Sequence, residues 1–129
     1  MIRPATPADL DGIRDLLLAE GWGARVEDPQ RLRRIVESAT RAVVADEDGE
    51  VVGFGRCVTD DTSNGYLSMV VVDPRHRRRG MGRALVAAMT GDDPQITWLL
   101  QAGREGSDRF WEGLGFRRFA TAYERVREQ

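Results

Sequence analysis

The sequence predicts a mixed α/β (α+β) domain over residues 1–129, with a largely antiparallel central sheet flanked by helices. Two observations carry that expectation. Hydrophobic periodicity switches repeatedly between alternation and helical spacing, without a repeat, a low-complexity tract or a linker. The composition is also that of a packed core, with 41% hydrophobic and 31% charged residues in 129 positions. No apolar run approaches the ~20 residues that cross a bilayer, and the opening Met1-Ile2-Arg3-Pro4 does not read as a secretory signal, so a cytoplasmic protein without membrane contact is expected. The single cysteine excludes an internal disulfide framework and a cysteine-rich zinc site, and no metal is expected.

The elements follow in order. Residues 1–5 form a short strand. Thr6-Pro7-Ala8-Asp9 starts a helix, with a hydroxyl before the first turn, proline at its first position and a carboxylate three residues after the cap. Leu10, Ile13, Leu16 and Leu17 continue it until Gly21 or Gly23. A second helix begins near Asp28-Pro29 and turns Leu32, Ile35, Val36 and Ala39 inward. Residues 42–45 and 51–54 flank an Asp-Gly turn and predict a hairpin, the second strand continuing through Arg56, Cys57 and Val58. Residues 66–72 are a third strand, 80–90 a helix, 96–100 a buried strand, 107–114 a short helix and 116–126 a final strand.

The charges are unevenly placed. Every basic residue is arginine, and residues 73–83 hold five arginines against one acid in a chain of net charge −2. A compact cationic spot on an acidic body suits a small polyanion better than a nucleic-acid track, and no aromatic stacking platform accompanies it. The spot lies in Val70-Val71-Val72-Asp73-Pro74-Arg75-His76-Arg77-Arg78-Arg79-Gly80-Met81-Gly82-Arg83. There a strand ends at a proline and an Arg/Gly loop runs directly into a helix. Glycines admit close approach to the backbone, and the free amides of a first helical turn favour an anion. This is the chemistry of a pyrophosphate cradle. A Walker loop needs a lysine that the chain lacks, and the dinucleotide fingerprint needs glycine where Leu85 stands.

The string Arg77-x-x-Gly80-x-Gly82 after Val72-x-Pro74 resembles the acyl-CoA loop of the GNAT N-acetyltransferase superfamily. The resemblance extends to the opening 2–10 segment and to Phe110-Trp111-Glu112-Gly113-Leu114-Gly115-Phe116, which is similar to the family's Phe-Tyr-x-x-x-Gly-Phe. It implies a GNAT fold of bacterial type with an acyl-CoA cleft where two central strands splay, and transfer of an acetyl group from acetyl-CoA to a small-molecule or peptide amine, with CoA as product. It implies that Val70, Val71 and Val72 pair with the pantetheine arm, that Arg77, Arg78, Arg79, Gly80, Met81, Gly82 and Arg83 hold the pyrophosphate, and that an amide near Val70 or Val71 stabilises the reacting carbonyl.

Two departures stand out: Trp111 occupies the place of the tyrosine that often protonates the thiolate, and Arg104 that of a frequent asparagine. They motivate an alternative, a catalytically weak acyl-CoA-binding or sensing module. Tyr66, at a strand position where some members carry a glutamate base, and Tyr123 are the candidate catalytic hydroxyls. His76 sits at the phosphate end of the loop and Cys57 has no histidine beside it, so packing roles are expected of both. The segment between the first two helices is expected to wall the acceptor channel, with Trp22 and Glu27 holding a cation. A second copy of so short a chain is one way to complete the sheet or the cleft.

Overall fold

The computed structural model describes residues 1–103 and 106–128. Its elements run β1 (Ile2–Pro4), α1 (Leu10–Ala19), α2 (Pro29–Glu37), β2 (Arg41–Glu47), β3 (Glu50–Thr59), β4 (Asn64–Val72), α3 (Met81–Thr90), β5 (Thr97–Leu99) and α4 (Asp108–Gly113). One sheet has the order β1-β2-β3-β4-β5, antiparallel up to β4 and parallel between β4 and β5.

Local chemistry explains most boundaries. Asp9 accepts the Thr6 N–H at 2.8 Å and the Thr6 hydroxyl at 3.2 Å, closing a 3-10 turn that feeds α1. Thr6 and Asp9 thereby form a reciprocal capping box. Gly21, at φ +90, ends α1 while the Trp22 N–H returns to Leu17 O at 2.9 Å. Asp28 caps α2 through the Gln30 N–H at 2.9 Å. The β2–β3 turn places both Asp48 and Gly49 at positive φ, the twist that a two-residue hairpin requires.

The sheet carries a core on each face. Ile13, Leu17 and Leu32 of the first two helices pack with Val44, Phe54, Met69 and Val71 on one side. Leu85, Val86 and Met89 of α3 pack with Val52, Cys57 and Leu67 on the other, where Trp98, Trp111 and Phe116 join the rim. Cys57 is buried and its thiol is pushed up by burial, as fits a small core residue.

Two expectations are corrected. The strand expected at 96–100 is only Thr97–Leu99 and is half-exposed, Leu99 being 38% accessible, because β5 is the edge strand of the sheet. The strand expected at 116–126 does not form. Residues 116–128 pair with no strand, and Phe119, Tyr123 and Val126 lie on the surface. Alternation reports an amphipathic segment but supplies no ladder partner. Among the described residues, no helix is long and apolar enough to cross a membrane.

Candidate active site

The centre of the site is an irregularity in β4. Phe54 pairs with Val71 and Arg56 with Ser68, so Met69 and Val70 together oppose Gly55 alone. Met69 absorbs the extra residue at φ +59, unusual outside glycine. A bulge of this kind withdraws a peptide group from the ladder and resets side-chain parity. Leu67 therefore packs with the α3 core, yet Met69 and Val71 pack with the α1/α2 core.

The other edge of β4 is open. β5 pairs with Asn64, Gly65 and Tyr66, and among the described residues the stretch from Leu67 to Val72 has no strand partner on that side. A cleft of about 1220 Å³ occupies the divergence, walled by the α1–α2 loop, by β4, by the start of α3 and by α4. Gly65 is what lets β5 approach at all. A Cβ there would lie 2.4 Å from the Trp98 ring.

Below β4 the chain turns into the cradle. Asp73 accepts the Arg75 N–H at 2.9 Å and holds a 3-10 turn, while its own N–H donates to Val52 O at 2.8 Å. The Arg75 guanidinium beside it keeps the Asp73 carboxyl down at about 2. Arg78 (φ +66) and Gly80 (φ +75) then adopt left-handed conformations that form a concave run of amides. No side chain caps α3, and the first helical amide with an acceptor in the chain is that of Ala84, on Gly80 O at 3.0 Å. The Met81, Gly82 and Arg83 N–H groups of the first turn have no intrahelical acceptor and stand at the positive end of the helix dipole, on the cleft wall.

Of the residues expected at the cofactor site, Val70, Val71, Val72, Arg77, Arg78, Gly80, Met81, Gly82 and Arg83 line the cleft; Arg79 does not. Its guanidinium turns to Glu47 at 3.2 Å, because the hairpin brings that carboxylate under the loop. Arg77 is also committed, to Glu20 at 2.5 Å and to Val72 O at 3.2 Å. Gly82 has a packing role: a Cβ there would stand 2.9 Å from the Phe110 ring of α4. His76 braces the turn, its Nε2 lying 3.2 Å from Glu47.

The catalytic and acceptor expectations divide. Tyr66 lines the cleft with its side chain 39% exposed, and Ser68 lies beside it on the same side of the bulge. Tyr123 is 100% exposed and is not among the residues that line the cleft. Trp22 lines the cleft, but Glu27 is exposed outside it. The Glu27 contribution is a main-chain carbonyl that accepts from Arg14 at 2.8 Å. Trp111 reaches the cleft as part of an aromatic stack, edge-on to Phe110 at 4.8 Å and to Phe116 at 5.4 Å. Arg104 lies outside the described residues. Sequence reasoning missed Arg56, although a charge following Phe54 at strand period was a visible signal of a cation on a core-facing position.

Comparison with known proteins agrees with this geometry. Over 108 residues the chain is 33% identical to the mycothiol acetyltransferase of Kineococcus radiotolerans, a match covering 73% of this chain and 36% of that protein. The chain thus spans little more than a third of the curated relative's length. A GNAT-family acetyltransferase from Streptococcus pneumoniae superposes with a TM-score of 0.76 at 20% identity, covering 100% of this chain and 98% of the other. The ribosomal-protein-alanine N-acetyltransferase of Brucella melitensis gives 0.74 at 20% identity, with 100% and 99% covered. Both show the shared fold. Residues 10–116 match the model of the acetyltransferase (GNAT) family, and with the splayed strands, the bulge and the uncapped helix in place, the chain belongs to that family.

Proposed function

We propose that the protein transfers an acetyl group from acetyl-CoA to a primary amine by direct attack. The observation that carries this reading is the uncapped N-terminus of α3 set beneath the unpaired edge of bulged β4. These residues fit the donor. The Met81, Gly82 and Arg83 amides and the Arg78 guanidinium, which has no acid partner among the described residues, suit a diphosphate, and the open backbone of residues 70–72 suits an amide-bearing arm. Acetyl-CoA supplies an acetyl thioester whose carbon–sulfur bond breaks as the carbon–nitrogen bond forms, releasing CoA thiol and the N-acetyl product.

The chain's own contribution is positioning and charge. The peptide group freed by the bulge lies along the open edge, where one N–H toward a developing oxyanion contributes on the order of 3 kcal/mol. The attacking nitrogen must lose a proton, and the Tyr66 hydroxyl with cleft water is the route available on this wall. Trp111 offers an indole N–H that does not titrate near neutrality, so the departing thiol relies on its own low basicity and on water.

Isothermal titration with CoA and a thiol-release assay with acetyl-CoA and an amine panel test the proposal. Heat on CoA addition and amine-dependent thiol release are expected. Absence of CoA binding overturns the reading. Binding without thiol release from any amine replaces it with the binding-module reading, which the half-buried aromatic stacking of Trp111 favours. Phenylalanine at Tyr66 shifts the pH–rate profile if the hydroxyl relays the proton; an unchanged profile removes it from that role.

A further inference from the structure

We infer that the acceptor amine carries an oxyanion, a carboxylate or a phosphate, seated between Arg25 and Arg56 a few bonds from the reacting nitrogen. The inference rests on the acetyl-transfer reading and names the substrate class of the same cleft.

Arg56 projects from β3 toward the α1/α2 side, opposite Ser68 and next to the bulge. Its Nε is buried and has no hydrogen-bond partner. Arg25 reaches the same wall from the α1–α2 loop, anchored by the fully buried Val26 that follows it. Burial chiefly disfavours the charge of the Arg56 guanidinium, and the nearby Arg25 charge adds to it; Arg25 is disfavoured by its own desolvation and then by Arg127. Arg127 contributes a third like charge at this end. Among the described residues no carboxylate is paired with them. Among the described residues Glu20 is the one acid on the cleft wall, and it is engaged by Arg77 at 2.5 Å.

Other arginines of the chain are held by acids: Arg3 by Asp9 and Asp46, Arg41 by Asp61, Arg75 by Asp73 and Glu50. The half-buried Arg56 guanidinium, left without an acid, is costly alone and becomes favourable when an anion enters, while Arg25 supplies an exposed charge at the same wall. The pyrophosphate seat does not claim them. From Ser68 to the end of β4 at Val72 is roughly 13 Å along the strand, and the cradle lies beyond. An anion at Arg25 and Arg56 instead sits one residue pair from the bulge, where an attached amine meets the open edge. An acceptor held by acidic residues, as expected for Trp22 and Glu27, does not match this wall.

The test is thiol release at saturating acetyl-CoA with matched amines: α-amino acids against their amides, phosphoethanolamine against ethanolamine, and spermidine as a polycation. We expect kcat/KM at least tenfold higher for an anionic amine than for its neutral twin, and the pair showing the difference separates carboxylate from phosphate. Arg56→Gln and, independently of any folding defect at that strand position, Arg25→Gln in the loop should raise KM for the anionic amine roughly ten- to hundredfold, the scale of a charge-assisted contact. Both should leave CoA affinity by calorimetry within about twofold. Equal use of neutral twins or spermidine, or an unchanged KM in both variants, overturns this inference while leaving acetyl transfer standing. Thiol release from no amine overturns acetyl transfer and this inference with it.

Discussion

The arginines at the two ends of the cleft behave in opposite ways. The loop end looks densest in sequence, with Arg75, Arg77, Arg78 and Arg79 within five positions, yet three of the four are neutralised by Asp73, Glu20 and Glu47. The acceptor end has no charge run at all, and its Arg25 and Arg56, thirty-one positions apart in sequence, line one cleft with no acid paired to either among the described residues. Charge density along a chain therefore overstates what a ligand meets at the loop and understates what it meets at the other end. At the cradle the peptide amides are the free donors; at the acceptor wall the guanidiniums are.

The sharpest way to break this contrast is to unpair an arginine that the fold keeps paired. Asp9→Asn removes a carboxylate only 7% exposed that accepts from Arg3 at 2.8 and 2.9 Å. A loss of about 3 kcal/mol in urea denaturation is expected, since one partner of a largely buried pair is left behind. The same carboxyl is held at about 2, chiefly by Arg3, against 3.8 ordinarily. Its stabilisation is thus complete above pH 4 and lost as pH falls through the range toward 2. Wild-type stability should drop by about 2 kcal/mol over that interval from this group, and the Asn variant should lack that component.

Next in size is Arg78→Gln, which removes a loop guanidinium without an acid partner among the described residues and should weaken CoA binding about tenfold by calorimetry. Arg77→Gln should change CoA affinity less than about threefold and lower stability by about 1 kcal/mol, because that side chain ties β4 to α1. The smallest effect is expected at Arg79→Gln. Its exposed pair with Glu47 lies outside the cleft, so both affinity and stability should move within about 0.5 kcal/mol. A tenfold loss at Arg79 or none at Arg78 would reverse the assignment of the loop charges.

Much of the cleft's frame was legible because local rules govern it. The Asp48-Gly49 turn, the Asp28 cap and the glycine stop at 21 each depend on a few adjacent residues. The cradle is similar, since proline, left-handed positions and a helix start are written within ten residues. The segment 116–126 failed for the opposite reason: its alternation fits a strand, but pairing needs a free edge at the right height, and Tyr123 ends fully exposed. The bulge lay between these cases. Nothing in Ser68-Met69-Val70 announces a positive φ, and only the conflict between the two cores fixes it at Met69.

The sequence by itself determined the strand-loop-helix that presents amides to an anion, because backbone conformation there is set by neighbouring residues. Tertiary structure decided which charges remain available. Arg77 meets Glu20, Arg79 meets Glu47 and Arg25 approaches Arg56 across distances in sequence that no local pattern spans. A guanidinium's use depends on what folding places beside it, and that is a property of the packed sheet and its covering loop.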